Sequence, residues 1–209
     1  TSFKWTNNAK YNAGVSCVIV GICKSKQIAR KYIYDNSSYR IVDYINPYLS
    51  SSQTAIITKR TFAISHIPPM DYGSKPADGG FLILSPEEKE TIEKEIVPGI
   101  IKKCVGSQEF IRGEERFCLW ITDENKEYAY NTPVIKERIY GVYKMRISSK
   151  KGATIKDAER PHEFSEIRYQ PTDAIIVPAV SSERREYIPI GFVDKDTVIS
   201  NLAFAVYDA

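Results

Sequence analysis

The sequence contains no apolar run long enough to cross a bilayer; its longest, Val15 to Ile22, has the length and β-branched content of a buried strand. A membrane partner is therefore not expected. Cysteine is scarce and scattered. Cys17, Cys23, Cys104 and Cys118 form no close CxxC pair and have no neighbouring histidine, which argues against a cysteine-based zinc site and against a disulfide framework. Reduced, buried thiols are expected, as in a cytoplasmic protein. The start, Thr1-Ser2-Phe3-Lys4-Trp5, has neither the charged nor the apolar region of a signal peptide, and the chain reads as a piece excised from a longer one. There is no glycine-rich cofactor loop and no cluster of carboxylates and lysine of the metal-nuclease kind. No catalytic residue, cofactor or metal is expected within these residues.

What is present is ordinary globular material: 209 residues, 43% hydrophobic and 26% charged, enough to bury a core without staples. Alternating strand and helix signals predict an α+β fold, a mixed twisted sheet with two main helices packed on it. Strands are predicted near Val15, Ile28, Phe81, Phe117, Ile175, Ile188 and Phe204, with Val15–Ile22 and Ile28–Tyr34 as a hairpin or neighbours. Ser85-Pro86-Glu87-Glu88 carries an N-cap, a first-turn proline and the glutamate of a capping box, so a helix starts there and closes by Val97-Pro98-Gly99. Thr132-Pro133 opens the longest helix. Ile135, Ile139 and Val142 recur at helical spacing and predict a buried stripe to about Ile147, and Trp120, on the strand from Arg116, is expected in the core.

The net charge of +3 and pI near 8.5 are too mild to indicate a nucleic-acid partner, but the distribution is uneven. Lys136, Arg138, Lys144, Arg146, Lys150, Lys151, Lys156 and Arg160 face only Glu137, Asp157 and Glu159 in their segment. The helix dipole accounts for Lys144 and Arg146 and does not account for the charge that continues beyond the helix. Further on, Ala174–Pro178 and Tyr187–Phe192 read as two apolar strands flanking Ser181-Ser182-Glu183-Arg184-Arg185. Hydroxyls and planar guanidiniums held between strands suit phosphate oxygens or base edges. The Gly-rich run Asp71 to Gly80 reads as a loop, with backbone amides able to approach a ligand.

Two motifs bear on catalysis. Asn46-Pro47-Tyr48 is like the Asn-Pro-Pro-Tyr element of amino-methyltransferases, but the second proline is absent and the segment reads as a proline-marked loop. Ser181 or Ser182 with His162 would be the nucleophile and base of a small serine-dependent hydrolase. Neither serine sits in a glycine-flanked elbow, and His66 and His162 stand beside prolines in loop contexts.

Several segments together resemble the target-recognition region of MmeI-like (type IIL) restriction-modification enzymes, which combine endonuclease, adenine-N6 DNA methyltransferase and recognition parts in one chain. They are Gly73-Ser74-Lys75-Pro76 with Asp78-Gly79-Gly80, Leu84 to Glu88, Gly106 to Ile111, Arg116 to Trp120, Pro161-His162-Glu163-Phe164, Glu166-Ile167-Arg168, Ser181 to Arg185 and Tyr187 to Phe192. Asn7-Asn8-Ala9-Lys10, Val18 to Gly21 and Ile45 to Leu49 look like the passage out of the methyltransferase domain. The resemblance implies the tail of a methyltransferase domain and linker over 1–50 and a DNA target-recognition domain over 51–209. It implies double-stranded DNA and the parent's methyltransferase domain as partners, and S-adenosylmethionine as the parent's cofactor. A structural bridge between the parent's catalytic domains is the alternative. Residues expected to contact DNA are Lys75, Arg146, Lys150, Lys151, Arg160, Arg168, Ser181, Ser182, Arg184 and Arg185, with the loops around Ser50 and Asn201 as the next choice.

Overall fold

The computed structural model describes residues 3–5, 15–24, 30–53, 58–60, 63–182 and 184–209, and the chain divides into two units, Thr1–Phe62 and Ala63–Ala209. The Asn7-to-Lys10 motif, Ile28 and Glu183 lie outside the described residues.

In the first unit β1 (Phe3–Trp5) pairs antiparallel with β2 (Val15–Cys17), and β3 (Lys31–Asp35) with β4 (Ser38–Val42). The expected pairing of the Val15 and Ile28 segments is thus replaced by two separate hairpins. The buried strand expected over Val15 to Ile22 is also corrected. It ends at Cys17, and beyond it Ile19 is 87% and Ile22 93% exposed, because no second layer covers them among the described residues. Asn46 explains the loop that follows β4. Its amide donates to the Ser50 and Ser52 hydroxyls (2.8 and 2.9 Å), and its carbonyl oxygen accepts the Tyr48 and Ser50 backbone N–H groups (3.0 and 3.1 Å). Every hydrogen-bonding edge of the side chain closes a turn, so Asn46-Pro47-Tyr48 is a latch.

The second unit has the α+β architecture anticipated, with its strands divided between two four-stranded sheets. After β5 (Met70–Tyr72), β6 (Ile83–Leu84) leads to α1 (Pro86–Ile92), β7 (Ile101–Val105), α2 (Ser107–Arg112) and β8 (Phe117–Leu119). Helices α3 (Lys126–Asn131), α4 (Pro133–Ile147) and α5 (Gly152–Lys156) follow, then β9 (Ala174–Pro178), β10 (Gly191–Val193), β11 (Thr197–Ile199) and β12 (Ala203–Tyr207). One sheet, ordered β11-β7-β8-β6, is mixed, with β11 parallel to β7; the other, β10-β9-β12-β5, is antiparallel throughout.

The capping box at α1 forms as expected: Ser85 Oγ accepts the Glu88 N–H (3.2 Å) and Glu88 Oε2 accepts the Ser85 N–H (2.9 Å). Ser85→Ala is expected to cost about 1 kcal/mol, read as a shift in the urea midpoint without change in slope. The helix is shorter than expected, passing into turns at Glu93. In α4, Ile135, Ile139 and Val142 are buried as their spacing requires and join Leu82, Leu84, Leu119 and Trp120 in the main core. Trp120 meets Phe164 and Tyr169 edge-on, at 5.1 and 5.2 Å between ring centres. Thr132 does not cap α4, since its hydroxyl donates back to the Tyr128 carbonyl (2.9 Å). Cys104 and Cys118 are buried free thiols, whereas Cys23 is exposed, contrary to expectation.

Two predicted strands are shortened for local reasons. Asp78 Oδ2 accepts the N–H groups of Leu82 (2.6 Å) and Ile83 (3.2 Å), which curls Phe81-Leu82 into a turn and leaves only Ile83–Leu84 in the sheet. Within the run from Asp71 to Gly80 itself, the N–H groups of Tyr72, Gly73, Ser74 and Lys75 are bonded inside the fold, to Asp71 Oδ1, Ala203 O, Ile199 O and Glu166 O. Tyr187 to Ile190 stays outside the sheet, with strand pairing beginning only at Gly191, beyond Pro189, which has no N–H to donate.

Candidate nucleic-acid interface

The loop after β9 is positioned by one serine. Ser107, at the start of α2, accepts the Ala179 N–H on its hydroxyl oxygen (2.8 Å) and donates to the Leu202 carbonyl. It thereby fastens the start of α2, the 179–185 loop and the 200–202 turn together. Within the loop the Arg184 N–H meets Ser182 Oγ (3.2 Å) and the Arg185 N–H meets the Ser182 carbonyl (3.0 Å), giving a tight turn. Glu109 reinforces the base of the site. It accepts the Gly106 N–H (2.8 Å) and pairs with Arg116 (3.1 Å), fixing the entry to α2.

These segments enclose a groove of about 580 Å³ lined by Ser181, Ser182 and Arg185 from the loop, Gln108 and Arg112 from α2, and Asn201 from the turn. Three of the expected residues are therefore brought together. Gln108, Arg112 and Asn201 complete the polar lining, and only the neighbourhood of Asn201 was anticipated. The order Gly106-Ser107-Gln108-Glu109, a glycine N-cap with glutamate three residues on, is the sequence signal that would have placed α2 and hence Gln108. Arg184 is exposed and stands outside the groove lining.

The Gly73-Ser74-Lys75 motif supports the same turn from behind. The Ser74 N–H donates to Ile199 O (2.8 Å), the Asn201 N–H donates to Ser74 O (2.9 Å), and Ser74 Oγ accepts the N–H groups of Arg168 and Tyr169 (3.0 Å each). A Cβ at Gly73 would lie 2.3 Å from Ile199 O and 2.5 Å from Ser200 O, so glycine is required for the approach.

The remaining expected contacts fall into three groups. Lys75 and Arg168 meet over one carboxylate: Lys75 Nζ lies 3.3 Å and Arg168 Nη2 2.8 Å from Glu166, with Arg168 Nε also 3.6 Å from Asp71. Arg160 pairs with Asp157 (3.5 Å) and Glu163 (3.2 Å) and donates to Ser165 O (3.0 Å). These three cations are largely neutralised in place. Lys150 and Lys151, past the end of α4, are exposed and carry no ion pair among the described residues.

Arg146 is a correction. It is 0% exposed, and its guanidinium donates to Ala77 O (3.0 Å), Asp157 O (2.9 Å), Arg160 O (2.9 Å), Pro76 O (2.8 Å) and Glu163 O (2.7 Å). With its donors committed and no surface, it cannot touch DNA. Burial pulls its pKa down, and the Asp157 and Asp78 carboxylates push back.

The hydrolase alternative also loses its base. His162 is buried beside Tyr130 and Glu163, and no hydrogen bond joins it to either serine among the described residues. The groove sets the Ser181 and Ser182 hydroxyls, the Gln108 and Asn201 amides and the Arg112 and Arg185 guanidiniums beside the apolar side chains of Ile111, Val180 and Leu202. The comparisons with known proteins name the chain's kind. The profile of "MmeI, target recognition domain" matches residues 51–209, and that of "MmeI, DNA-methyltransferase domain" matches residues 1–35. The chain belongs to the MmeI target recognition domain family.

Among relatives, it is 40% identical over 211 residues to DNA methyltransferase A of Bacillus subtilis (strain 168), with 100% of this chain and 24% of that protein covered. Among solved structures, the type IIL restriction-modification enzyme MmeI in complex with DNA superposes with a TM-score of 0.85 at 34% identity, covering 100% of this chain and 29% of that one. The chain thus spans about a quarter of the length of the curated relative it matches.

Proposed function

We propose that this chain reads a short sequence of duplex DNA on behalf of a parent adenine-N6 DNA methyltransferase of the restriction-modification type. The observation that carries the reading is the groove in which Ser181, Ser182 and Arg185 meet Gln108 and Asn201, in a chain of the MmeI target recognition domain family. Asn and Gln amides match adenine edges and an Arg fork matches guanine, so such a lining has the vocabulary of direct readout. Methyl transfer and base extrusion belong to the parent's catalytic domain, with S-adenosylmethionine as its cofactor. The parent acts in the cytoplasm, where its DNA is; no helix among the described residues is long and apolar enough to cross a membrane.

Residues 1–50 form the end of the methyltransferase domain and its linker, and 51–209 the recognition domain. The exposed Ile19 and Ile22 support this, because they lie in the stretch matching the methyltransferase-domain profile and present the apolar surface that the rest of such a domain would cover. The alternative, a structural bridge between catalytic domains, draws on the neutralised state of Lys75, Arg160 and Arg168. A folded chain that binds no duplex DNA at low salt would favour the bridge.

Lys150 and Lys151 serve as phosphate contacts. Each alanine substitution is expected to lower the slope of log affinity against log salt by roughly 0.9 and to weaken all sequences about alike. Fluorescence anisotropy with labelled duplexes at several salt concentrations measures both quantities. An unchanged slope in both variants removes these lysines from the interface.

A further inference from the structure

We propose that Asp123, His162 and Glu163 form a binding site for a divalent metal ion of the zinc type, with water in the fourth position. The cluster lies apart from the groove and owes nothing to cysteine, so it departs from the expectation that no metal is held. His162 is 2% exposed, yet its Nε2 has no hydrogen-bond partner. Buried ring nitrogens are nearly always paired. This nitrogen is aimed at the Glu163 carboxylate, with Oε1 at 3.3 Å, while the other ring nitrogen, Nδ1, faces the Tyr130 hydroxyl at 3.4 Å.

With the ring proton on the Tyr130 side, a lone pair on Nε2 confronts an anionic oxygen at 3.3 Å. A cation between them would satisfy both groups; without one, the other tautomer turns the Nε2 proton toward the carboxylate. The separation matches the edge of a zinc tetrahedron, about 3.3–3.4 Å for bonds of 2.0–2.1 Å. The third ligand is Asp123, whose carboxylate lies within 4.8 Å of the other two ligand atoms. It sits on the turn before α3, where the Thr122 N–H donates to Asn125 Oδ1 (2.9 Å), and its side chain is exposed.

One imidazole and two carboxylates suit zinc, with an open position left for solvent. Lys126, Arg146 and Arg160 are the cations facing the cluster; Arg160 pairs with Asp157 and with Glu163 Oε2, so the ion would share the Glu163 carboxylate with a guanidinium. A bound ion would pin the Pro161–Phe164 turn, the same turn that supplies Glu163 O to Arg146, against the turn before α3.

The test is calorimetric titration of zinc chloride into the 209-residue chain, freed of metal by chelator, with Cys17 and Cys23 changed to serine to remove the accessible thiols. Cobalt(II) absorption reports the ligand type. The expected result is one equivalent bound, with cobalt d–d bands and no sulfur charge-transfer band. Asp123→Asn, at an exposed position, should weaken binding at least about tenfold with unchanged circular dichroism. Glu163→Gln should do the same. No binding by the parent chain, equal binding by both variants, or a sulfur charge-transfer band would each overturn the proposal.

Discussion

Arg146→Ala is expected to cost the second unit about 3–5 kcal/mol, a large fraction of the usual total stability. The reason is the number of groups stranded rather than the charge lost. The carbonyls of Pro76, Ala77, Asp157, Arg160 and Glu163 all point at one guanidinium, and removing it leaves several of them buried without a donor. Arg146→Lys keeps the charge but not the fork, and should recover only part of the loss. Urea denaturation followed by Trp120 fluorescence measures both variants. A loss below about 1 kcal/mol, the worth of an exposed ion pair, would mean that the guanidinium is not the hub described.

Arg185→Ala should leave stability unchanged and cost about 1–3 kcal/mol of affinity for the cognate duplex, or roughly 5- to 150-fold. The loss should fall at one base position. Arg185 lines the groove beside Ser181 and Ser182, whereas Arg184 stands outside it, so Arg184→Ala is expected to resemble the lysine variants, with a reduced salt slope and no change in preference. Competition with duplexes altered at single positions separates the two outcomes. If Arg185→Ala weakens every duplex equally, Arg185 holds phosphate and base reading passes to Gln108 and Asn201.

How much of this was legible in the sequence depended on how local the cause was. The α1 cap and the α4 stripe are fixed by residues a few positions apart, and both formed where their spacing placed them. Arg146 shows the opposite case. Its partners at Pro76 and Ala77 lie far along the chain, so its position at the basic end of α4 looked like a surface cation answering the helix dipole. Local charge balance hid the fate of Arg160 and Arg168 less completely, since Glu163 and Glu166 stand within three residues of them.

The groove was half legible for the same reason. Ser181 to Arg185 is one continuous polar loop and announced itself. Gln108 and Asn201 reach it only because Ser107 ties α2 to Ala179 and Leu202, contacts between segments about 70 and 95 positions apart. Periodicity cannot report such a meeting. The failure at Val15 to Ile22 has another origin: β-branched composition signals burial correctly only when the covering layer is present among the same residues.

We propose that this chain carries sequence information to DNA through the groove between α2, the 179–185 loop and the 200–202 turn. The most direct test is selection from a library of random duplexes by the purified chain at near-physiological salt, followed by sequencing of the bound fraction. The predicted result is enrichment of one short sequence by the parent chain, with the preference relaxed at one position in Arg185→Ala. Binding without enrichment, or an identical selected sequence from Arg185→Ala and from a variant changed at Gln108 and Asn201, would contradict the account.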